Sequence, residues 1–286
     1  MTTIVQCFNH ERWVARALDS VLAQQGVGSY EVLVGDDAST DATREVIADY
    51  ARRYPDVIRT VLPEANMGGE GKNLFLELVR QSRGSYLAVL DADDYWISDE
   101  KVRIQADHLD AHPDCSMVFH NVLREHEGDG RLDRVFDRRG EPARLGRADL
   151  YAYNPVPACS PMFRREVLEA IPSWYLDSPW GDWPLYFFAA DAGALDYLPE
   201  VLGVYRIHDR GAFSGLARLQ QASVDVAFFR VLPVPESGPE AALHARRLGQ
   251  ALAAQAFELL RLGRGTEARA ALEESRRAFP FGSRRP

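Results

Sequence analysis

The chain has 286 residues, of which 46% are hydrophobic and 26% are charged, and its formal net charge is −9 at pH 7. This composition is typical of a globular protein, and the negative charge argues against a protein that binds nucleic acid through its phosphates. The three cysteines form no CxxC pair, and the sequence has neither a basic leader nor an apolar run of about 20 residues. We therefore expect a cytoplasmic protein without a transmembrane segment.

Short apolar runs alternate with segments of helical periodicity through the N-terminal half. The predicted strands are Thr3–Phe8, Tyr30–Val34, Val57–Leu62, Tyr86–Leu90 and Met117–His120. Helices are predicted between them, the first capped by Asn9, the second by Thr40 or Asp41, and the third over Lys72–Ser82. Such alternation indicates an α/β fold with a mostly parallel sheet and helices on both faces, in which ligands bind beyond the carboxyl ends of the strands.

The remainder of the chain is less regular. The charged, glycine-bearing stretch Glu125–Gly146 predicts a mobile loop, and Val201–Tyr205 predicts another strand. After Leu216 the pattern becomes helical, and its last helix is expected over Glu267–Ala278. We therefore predict a main domain over residues 1–215 and a C-terminal helical region over residues 216–286 as an appendage packed on it. The sequence leaves open a homo-oligomer formed through these helices.

The predicted strand Tyr86–Leu90 ends in three acids, Asp91, Asp93 and Asp94. Three carboxylates at the end of a buried strand repel one another. They are tolerated where they are solvated, where they cap the helix expected near Ser98, or where a cation binds them. Oxygen ligands of this kind suit Mg²⁺ or Mn²⁺, which also bind phosphate oxygens.

Other nucleotide and metal motifs are absent. The first strand is not followed by G-x-G-x-x-G, and the segment around Gly68–Lys72 departs from the P-loop pattern at its first glycine and at Asn73. His108 and His112 have helical spacing but lack the glutamate of H-E-x-x-H. They are expected to be two surface histidines near a helix end.

Five pieces of the sequence, taken in order, resemble family 2 glycosyltransferases of the GT-A fold. They are Ile4–Asn9, Val34–Asp41, Asn66–Gly68, Leu90–Asp94 and Tyr205–His208, and the resemblance extends over roughly Thr3–Gly211. It implies a Rossmann-like GT-A sheet and an inverting transferase. The donor would be a nucleoside-diphosphate sugar linked to UDP, GDP or dTDP, and the acceptor a hydroxyl of a cell-surface glycan or natural product.

The resemblance also implies roles for individual residues. Asp36 or Asp37 would hydrogen-bond the base or its ribose, and Asp93 would bind Mn²⁺ or Mg²⁺. His208 would complete the metal shell or contact the diphosphate. The other residues on the nucleotide side would be Phe8 and Asn9 at the base, Asp91 at the ribose or metal, and Gly68, Lys72 and Asn73 in the diphosphate loop. For Lys72 a solvated helix start is the alternative.

The catalytic base that the resemblance implies is Asp182, within Trp180-Gly181-Asp182-Trp183. Trp180 and Trp183 would stack on acceptor sugar rings. The alternatives are that Asp182 only caps the following helix and that the tryptophans belong to the core. The family's usual Thr-x-Tyr-Asn is here Gln6-Cys7-Phe8-Asn9, which leaves the base open, and the lack of Gln-x-x-Arg-Trp argues against processive synthesis.

Two other functions remain as alternatives to a transferase. A sugar-phosphate nucleotidyltransferase also uses an α/β sheet, carboxylates and a metal. It needs a glycine- and arginine-rich loop near the first strand, which the sequence Phe8-Asn9-His10-Glu11 does not provide. A non-catalytic sugar-nucleotide-binding protein is the other alternative, and the presence of Asp93, Asp182 and His208 argues against it.

Overall fold

The computed structural model describes residues 1–134, 144–211 and 215–279. The strands in these ranges are β1 Thr2–Cys7, β2 Glu31–Asp36, β3 Ile58–Val61, β4 Tyr86–Asp91, β5 Tyr95–Trp96, β6 Cys115–His126, β7 Leu132–Arg134, β8 Arg144–Leu145, β9 Met162–Arg164 and β10 Ala194–Ile207. The helices are α1 Val14–Leu22, α2 Thr43–Arg53, α3 Lys72–Gln81, α4 Lys101–Ala111, α5 Arg165–Glu169, α6 Trp183–Ala192, α7 Arg218–Val231, α8 Pro239–Arg261 and α9 Gly265–Ala278.

The strands form one sheet in the order β3-β2-β1-β4-β9-β6-β10-β5, with β7 paired to β6 and β8 to β10. The first four strands of this order are parallel, and so are β6 and β10. The short strand β9 is antiparallel to both β4 and β6, so those two strands run in the same direction. The carboxyl ends of β1, β2, β4, β6 and β10 therefore meet at one edge of the sheet.

Helices cover both faces of this sheet, as the near-continuous burial of its parallel strands requires. Helices α1, α2 and α4 contribute to a core with residues such as Val5, Val34 and Leu90. On the opposite face α3 approaches β2 so closely that a Cβ on Gly35 would lie 2.7 Å from Cδ1 of Leu78. The predicted α/β fold with a mostly parallel sheet and helices on both faces is confirmed.

Two local predictions were wrong. The charged stretch after residue 125 is not one loop, because β6 continues to His126 and turns back through β7, and β8 pairs with β10. Residues 135–143 of that stretch lie outside the described range. Asn9 does not cap α1, which begins at Val14 with Trp13 at its N-cap, because the turn formed by residues 11–13 separates Asn9 from the helix.

The chain divides into two compact units. The first comprises Met1–Gly146, Pro155–Pro172 and Gly181–Ile207, and it holds the whole sheet. The second is made of residues 147–154 and 173–180 together with the chain from His208 on, including α7, α8 and α9. None of the helices in the described residues is both long enough and apolar enough to cross a membrane.

Candidate active site

The edge of the sheet formed by carboxyl ends collects the polar residues singled out in the sequence. Phe8 follows β1, Asp36 closes β2 and Asp37 follows it, and Asp91 closes β4, with Asp93 two residues later. In the β1–β4 pairing Asp91 lies opposite Gln6. A crevice beyond such strand ends is where α/β sheets bind ligands.

Asp36 and Asp37 have different environments. The Asp36 carboxylate is fully buried and accepts hydrogen bonds from the Ser39 backbone N–H at 3.0 Å, the Ser39 hydroxyl and Nε of Arg44 at 2.6 Å. The Asp37 carboxylate accepts one bond through Oδ1, from the Met67 backbone N–H at 2.7 Å. Asp36 therefore organises its own loop, and of the two acids Asp37 retains more capacity to accept a hydrogen bond from a ligand.

The turn after β1 is tied to the turn after β2. Asn9 has a φ of +56°, and its side-chain oxygen accepts a hydrogen bond from the Thr40 backbone N–H at 2.8 Å, so it holds the two turns together. Asp41 accepts from the backbone N–H of Thr43, the first residue of α2, at 3.0 Å and from that of Glu11 at 3.1 Å. Phe8 stands beside this cross-link and is 48% exposed, which leaves its ring accessible to a planar ligand.

The glycine-rich loop before α3 has an unusual backbone. Gly68, Gly69 and Gly71 have φ values of +75°, +65° and +83°, which glycine adopts without a Cβ penalty. The side-chain amide of Asn73 donates to the Met67 carbonyl at 2.9 Å and so closes the loop on the start of α3. Lys72 is only 4% exposed, so the alternative of a solvated helix start was wrong for this residue.

The acids after β4 lie within reach of one another's charge. The pKa of Asp91 is raised to about 7 because its carboxyl group is enclosed and because the negative charges of Asp93 and Asp182 act on it. The pKa of Tyr205 is raised by burial and then by Asp94, Asp93 and Asp182. Residues from two distant parts of the sequence thus converge on one acidic centre.

Around Asp93, sequence reasoning gave no role to His10 or Arg206, and it considered Asp94 only as one of three clustered acids. His10 Nε2 lies 4.0 Å from Asp93 Oδ2, and Asp94 is 2% exposed and accepts from the Arg206 backbone N–H at 2.7 Å. The Arg206 guanidinium donates to the Asp93 carbonyl. The signal for Arg206 was its place in the Tyr205–His208 motif, whereas His10 follows the Phe8-Asn9 pair without a pattern of its own.

Asp182 is the N-cap of α6 and its Oδ1 accepts from the Trp183 backbone N–H at 2.7 Å. The Tyr186 hydroxyl donates to Oδ2 over a long 3.5 Å. The expected capping role is therefore present, and it fixes the carboxylate at the acidic centre. Capping through one oxygen and proton transfer through the other are compatible.

The two tryptophans beside Asp182 differ in their location, and His208 shares the unit of only one of them. Trp183 is 3% exposed, which favours the core alternative for this residue over stacking on an acceptor. Trp180 and His208 belong to the second unit, where burial raises the pKa of Asp225 and the nearby Arg247 and Trp180 act against that rise. The ligand roles of Trp180 and His208 stay predictions.

His108 and His112 are not simply two surface histidines, as the sequence had suggested. Their rings stack at 4.1 Å, and Nε2 of His108 lies 2.8 Å from Oδ2 of Asp196, beside the buried Cys115. The guanidinium of Arg144 already donates to both oxygens of Asp196, at 2.8 and 2.9 Å. We interpret this group as a structural ion network that fastens β8 to β10.

Comparison with protein families extends this picture. Residues 2–171 match the sequence model described as Glycosyl transferase family 2. An uncharacterised protein of Mycobacterium tuberculosis is 36% identical over 215 residues, covering 74% of this chain and 60% of that protein. The chain thus spans about 60% of the length of the first curated relatives that it matches. A dTDP-rhamnosyl transferase of Shigella flexneri is 26% identical over 215 residues, with 71% of each chain covered.

Two solved structures share the fold at low sequence identity. S. aureus TarS 1–349, in complex with UDP-GlcNAc, has a TM-score of 0.67 at 19% identity, covering 98% of this chain and 81% of that one. A mannosyltransferase from Pyrobaculum calidifontis, in complex with GDP-Man and Mn²⁺, has a TM-score of 0.63 at 22% identity, covering 96% and 85%. At these identities the likeness establishes the fold.

Proposed function

The chain belongs to glycosyltransferase family 2, and on that premise we propose that it transfers a sugar from a nucleoside-diphosphate donor to an acceptor hydroxyl with inversion. The observation that carries this proposal is the convergence of Asp91, Asp93 and Asp182 at the carboxyl edge of the sheet. A sugar transfer needs both a counter-charge for the leaving diphosphate and a base for the acceptor. This centre contains residues suited to both.

The residues after β4 fit a hard divalent cation. The side chains are carboxylates, and burial, followed by the negative charges of Asp93 and Asp182, raises the pKa of Asp91. Asp93 would hold Mn²⁺ or Mg²⁺, with Asp91 on the ribose or metal side. Bound there, the ion would offset the negative charge that develops on the leaving diphosphate. The Mn²⁺ present with GDP-Man in the mannosyltransferase of similar fold supports this assignment.

Asp182 would act as the general base. Its Oδ1 is held by the Trp183 N–H, and this bond fixes the orientation of the carboxylate. The acceptor hydroxyl gives its proton to Asp182 as its oxygen forms a bond to the anomeric carbon. The bond from that carbon to the diphosphate oxygen breaks on the opposite face, so the anomeric configuration inverts.

We assign nucleotide recognition to the carboxyl ends of β1 and β2, the two strands that precede β4 in the order of the sheet. Phe8 offers an exposed ring to the base, and Asp37 offers a carboxylate oxygen to an N–H or hydroxyl of the base or ribose. Asp36 would act indirectly, by shaping the loop with Arg44. The donors UDP-GlcNAc and GDP-Man in the neighbouring structures, and the dTDP named for the Shigella relative, support a nucleoside diphosphate without choosing the base.

The decisive test replaces Asp182 by asparagine and Asp93 by asparagine in separate variants. Donor hydrolysis, with water as acceptor, is measured on UDP-GlcNAc and GDP-mannose in Mn²⁺, because no glycan acceptor needs to be known. We expect D182N to retain nucleotide binding and to lose turnover by about 10²- to 10⁴-fold, the usual contribution of a positioned base. D93N should lose both turnover and its response to Mn²⁺.

Asp191→Asn provides a matched control, since it makes the same charge change on the exposed side of α6. Its turnover should equal that of the wild type. Full activity of D182N would remove Asp182 from the mechanism. Pyrophosphate release from a nucleoside triphosphate and a sugar phosphate would favour the nucleotidyltransferase, and nucleotide binding with neither reaction would favour a binding protein.

A further inference from the structure

Arg206 lies near the end of β10 and contacts the Asp93–Asp94 turn twice. Its backbone N–H donates to Asp94 Oδ1 at 2.7 Å, and its guanidinium donates to the Asp93 carbonyl. The side chain is buried, with the whole residue 7% exposed. One residue of β10 therefore holds both the Asp93 carbonyl and the Asp94 side chain, although it lies more than a hundred positions away in sequence.

The guanidinium itself is held in place from several sides. Oε2 of Glu125 lies 3.3 Å from Nη2 of Arg206, and the Glu125 carboxylate supplies the counter-charge of the guanidinium. The guanidinium carbon lies 5.2 Å from the centre of the Tyr95 ring and 6.0 Å from that of Trp13. Stacking on aromatic rings together with a directed hydrogen bond is a combination that arginine provides and lysine does not.

The Asp93–Asp94 turn needs such support, because its acids repel one another. Asp94 is only 2% exposed and directly follows Asp93, so water does little to screen the two carboxyl groups from each other. Without an anchor, the turn could relieve this repulsion by rotating its peptide units, and the Asp93 carboxylate would rotate with them. A hydrogen bond to the Asp93 carbonyl blocks that movement.

We propose that Arg206 is a positioning residue that holds the Asp93–Asp94 turn in the conformation in which the Asp93 carboxylate binds a divalent cation. This inference rests on the proposed function, in which Asp93 is the metal ligand. Residues that orient a metal ligand typically change metal affinity by about 10- to 100-fold when they are replaced. The effect should therefore appear in cation binding and not only in stability.

The test measures Mn²⁺ binding to the full chain in saturating UDP or GDP, by the loss of the electron paramagnetic resonance signal of free Mn²⁺. In R206K and R206Q we expect the dissociation constant for Mn²⁺ to rise by about 10- to 100-fold. Added Mn²⁺ should restore part of the donor hydrolysis, so the concentration of Mn²⁺ at half-maximal activity should rise in parallel.

Arg164→Lys is the matched control, because Arg164 also uses its guanidinium on carbonyl groups and also lies near an aromatic ring. It donates to the carbonyls of Cys115 and Leu109, both at 2.7 Å, and lies 5.7 Å from the Tyr86 ring centre. We expect R164K to lower the melting temperature while leaving the dissociation constant for Mn²⁺ within about twofold.

The outcomes separate this inference from the proposed function. A wild-type chain that binds no Mn²⁺ would overturn the metal site and this inference with it. Wild-type binding with an unchanged Mn²⁺ dissociation constant in R206K would overturn the inference alone, as would an equal rise in R164K. If the Arg206 variants do not fold, E125Q is the alternative, because it removes the charge that holds the Arg206 guanidinium. An unchanged Mn²⁺ dissociation constant in E125Q would then overturn the inference.

Discussion

Lys101 and His120 are two titratable side chains that are fully buried. Nζ of Lys101 lies 3.8 Å from the centre of the Trp96 ring and has no hydrogen-bond partner in the described part of the chain. The Nδ1–H of His120 donates to the Asn121 carbonyl at 2.8 Å. Burial lowers the pKa of Lys101 well below its usual range. Burial and the nearby charge of Lys101 lower the pKa of His120 to about 3.

His120 should make the protein sensitive to acid. Its pKa is about 3 in the folded chain and about 6.5 when unfolded, so the unfolded state binds more protons between these values. The contribution of the neutral His120 to the free energy of unfolding is therefore complete above about pH 6.5, and it decreases as the pH falls towards 3. In H120N this loss should disappear, and the slope of unfolding free energy against pH should be smaller by up to about 1.4 kcal/mol per pH unit.

Urea unfolding of wild type and H120N at several pH values between 4 and 7 measures this slope. Asparagine can donate to the Asn121 carbonyl from a position similar to that of Nδ1, so the comparison changes the titration more than the hydrogen bond. Parallel pH profiles for the two proteins would contradict a neutral, buried His120.

For individual residues, the sequence was a better guide to which acids lie at the site than to the hydrogen-bond partners of those acids. The acids after β2 and β4 could be predicted because each follows an apolar run that ends abruptly. The split between Asp36 and Asp37 could not be, since it depends on Arg44 and Met67, which come from other elements. The same holds for Arg206, whose partners at residues 93, 94 and 125 meet it only in the folded sheet.

Two glycines lie where elements of the fold approach each other closely, one facing a helix and the other facing the backbone of β1. A Cβ on Gly35 of β2 would meet the terminal carbons of Leu78 and Leu74 in α3, at 2.7 and 3.1 Å. A Cβ on Gly84, just before β4, would lie 2.4 Å from the backbone nitrogen of Thr2. Leucine side chains can rotate away, whereas the backbone of β1 is fixed by its neighbours on both sides.

We therefore expect G84A to destabilise the fold more than G35A does. Overpacking against side chains typically costs about 1–3 kcal/mol, and a clash with a fixed backbone belongs at or above the upper end of that range. Gly28→Ala is the control, because nothing lies within 4 Å of its added Cβ. Unfolding in guanidinium chloride measures all three, and a G35A loss equal to or greater than that of G84A would contradict this account.

Elements with a strong local pattern could be predicted closely. The predicted helix Lys72–Ser82 is observed as α3 Lys72–Gln81, and the predicted strand Tyr86–Leu90 as β4 Tyr86–Asp91. Strand β6 was predicted too short because Arg124, Glu125 and His126 break its apolar run. Pairing with β10 and β7 holds these polar residues in the sheet, and that pairing is not local.

At the scale of the whole molecule, the alternation of strands and helices was enough to predict the sheet. The assignment of residues 147–154 and 173–180 to the same unit as α7, α8 and α9 had no signal in the sequence. Contacts within that unit, such as Nε of Arg147 to Glu240 at 3.0 Å, join residues far apart along the chain. The boundary predicted at residue 215 therefore stays a prediction based on composition and periodicity.

A ligand that binds only the folded chain should stabilise the molecule as a whole. We expect one of UDP, GDP and dTDP, with Mn²⁺, to raise the melting temperature. At one hundred times its dissociation constant a ligand contributes about 2.7 kcal/mol, which corresponds to roughly 4–5 °C for a chain of this size. CMP, which carries a single phosphate, should give a smaller shift, and chelation of Mn²⁺ should reduce the shift given by the diphosphates.

The same thermal measurement on variants distinguishes a nucleotide site at this edge of the sheet from binding elsewhere. D37N should reduce the stabilisation by the preferred nucleotide, because it removes a carboxylate oxygen that the proposal directs at the base or ribose. Asp49→Asn, on the surface of α2, changes charge by the same amount away from the crevice and should leave the shift unchanged. Equal shifts in D37N and the wild type would contradict nucleotide binding at Asp37. If no nucleotide raises the melting temperature of the wild type, the proposed donor site is wrong.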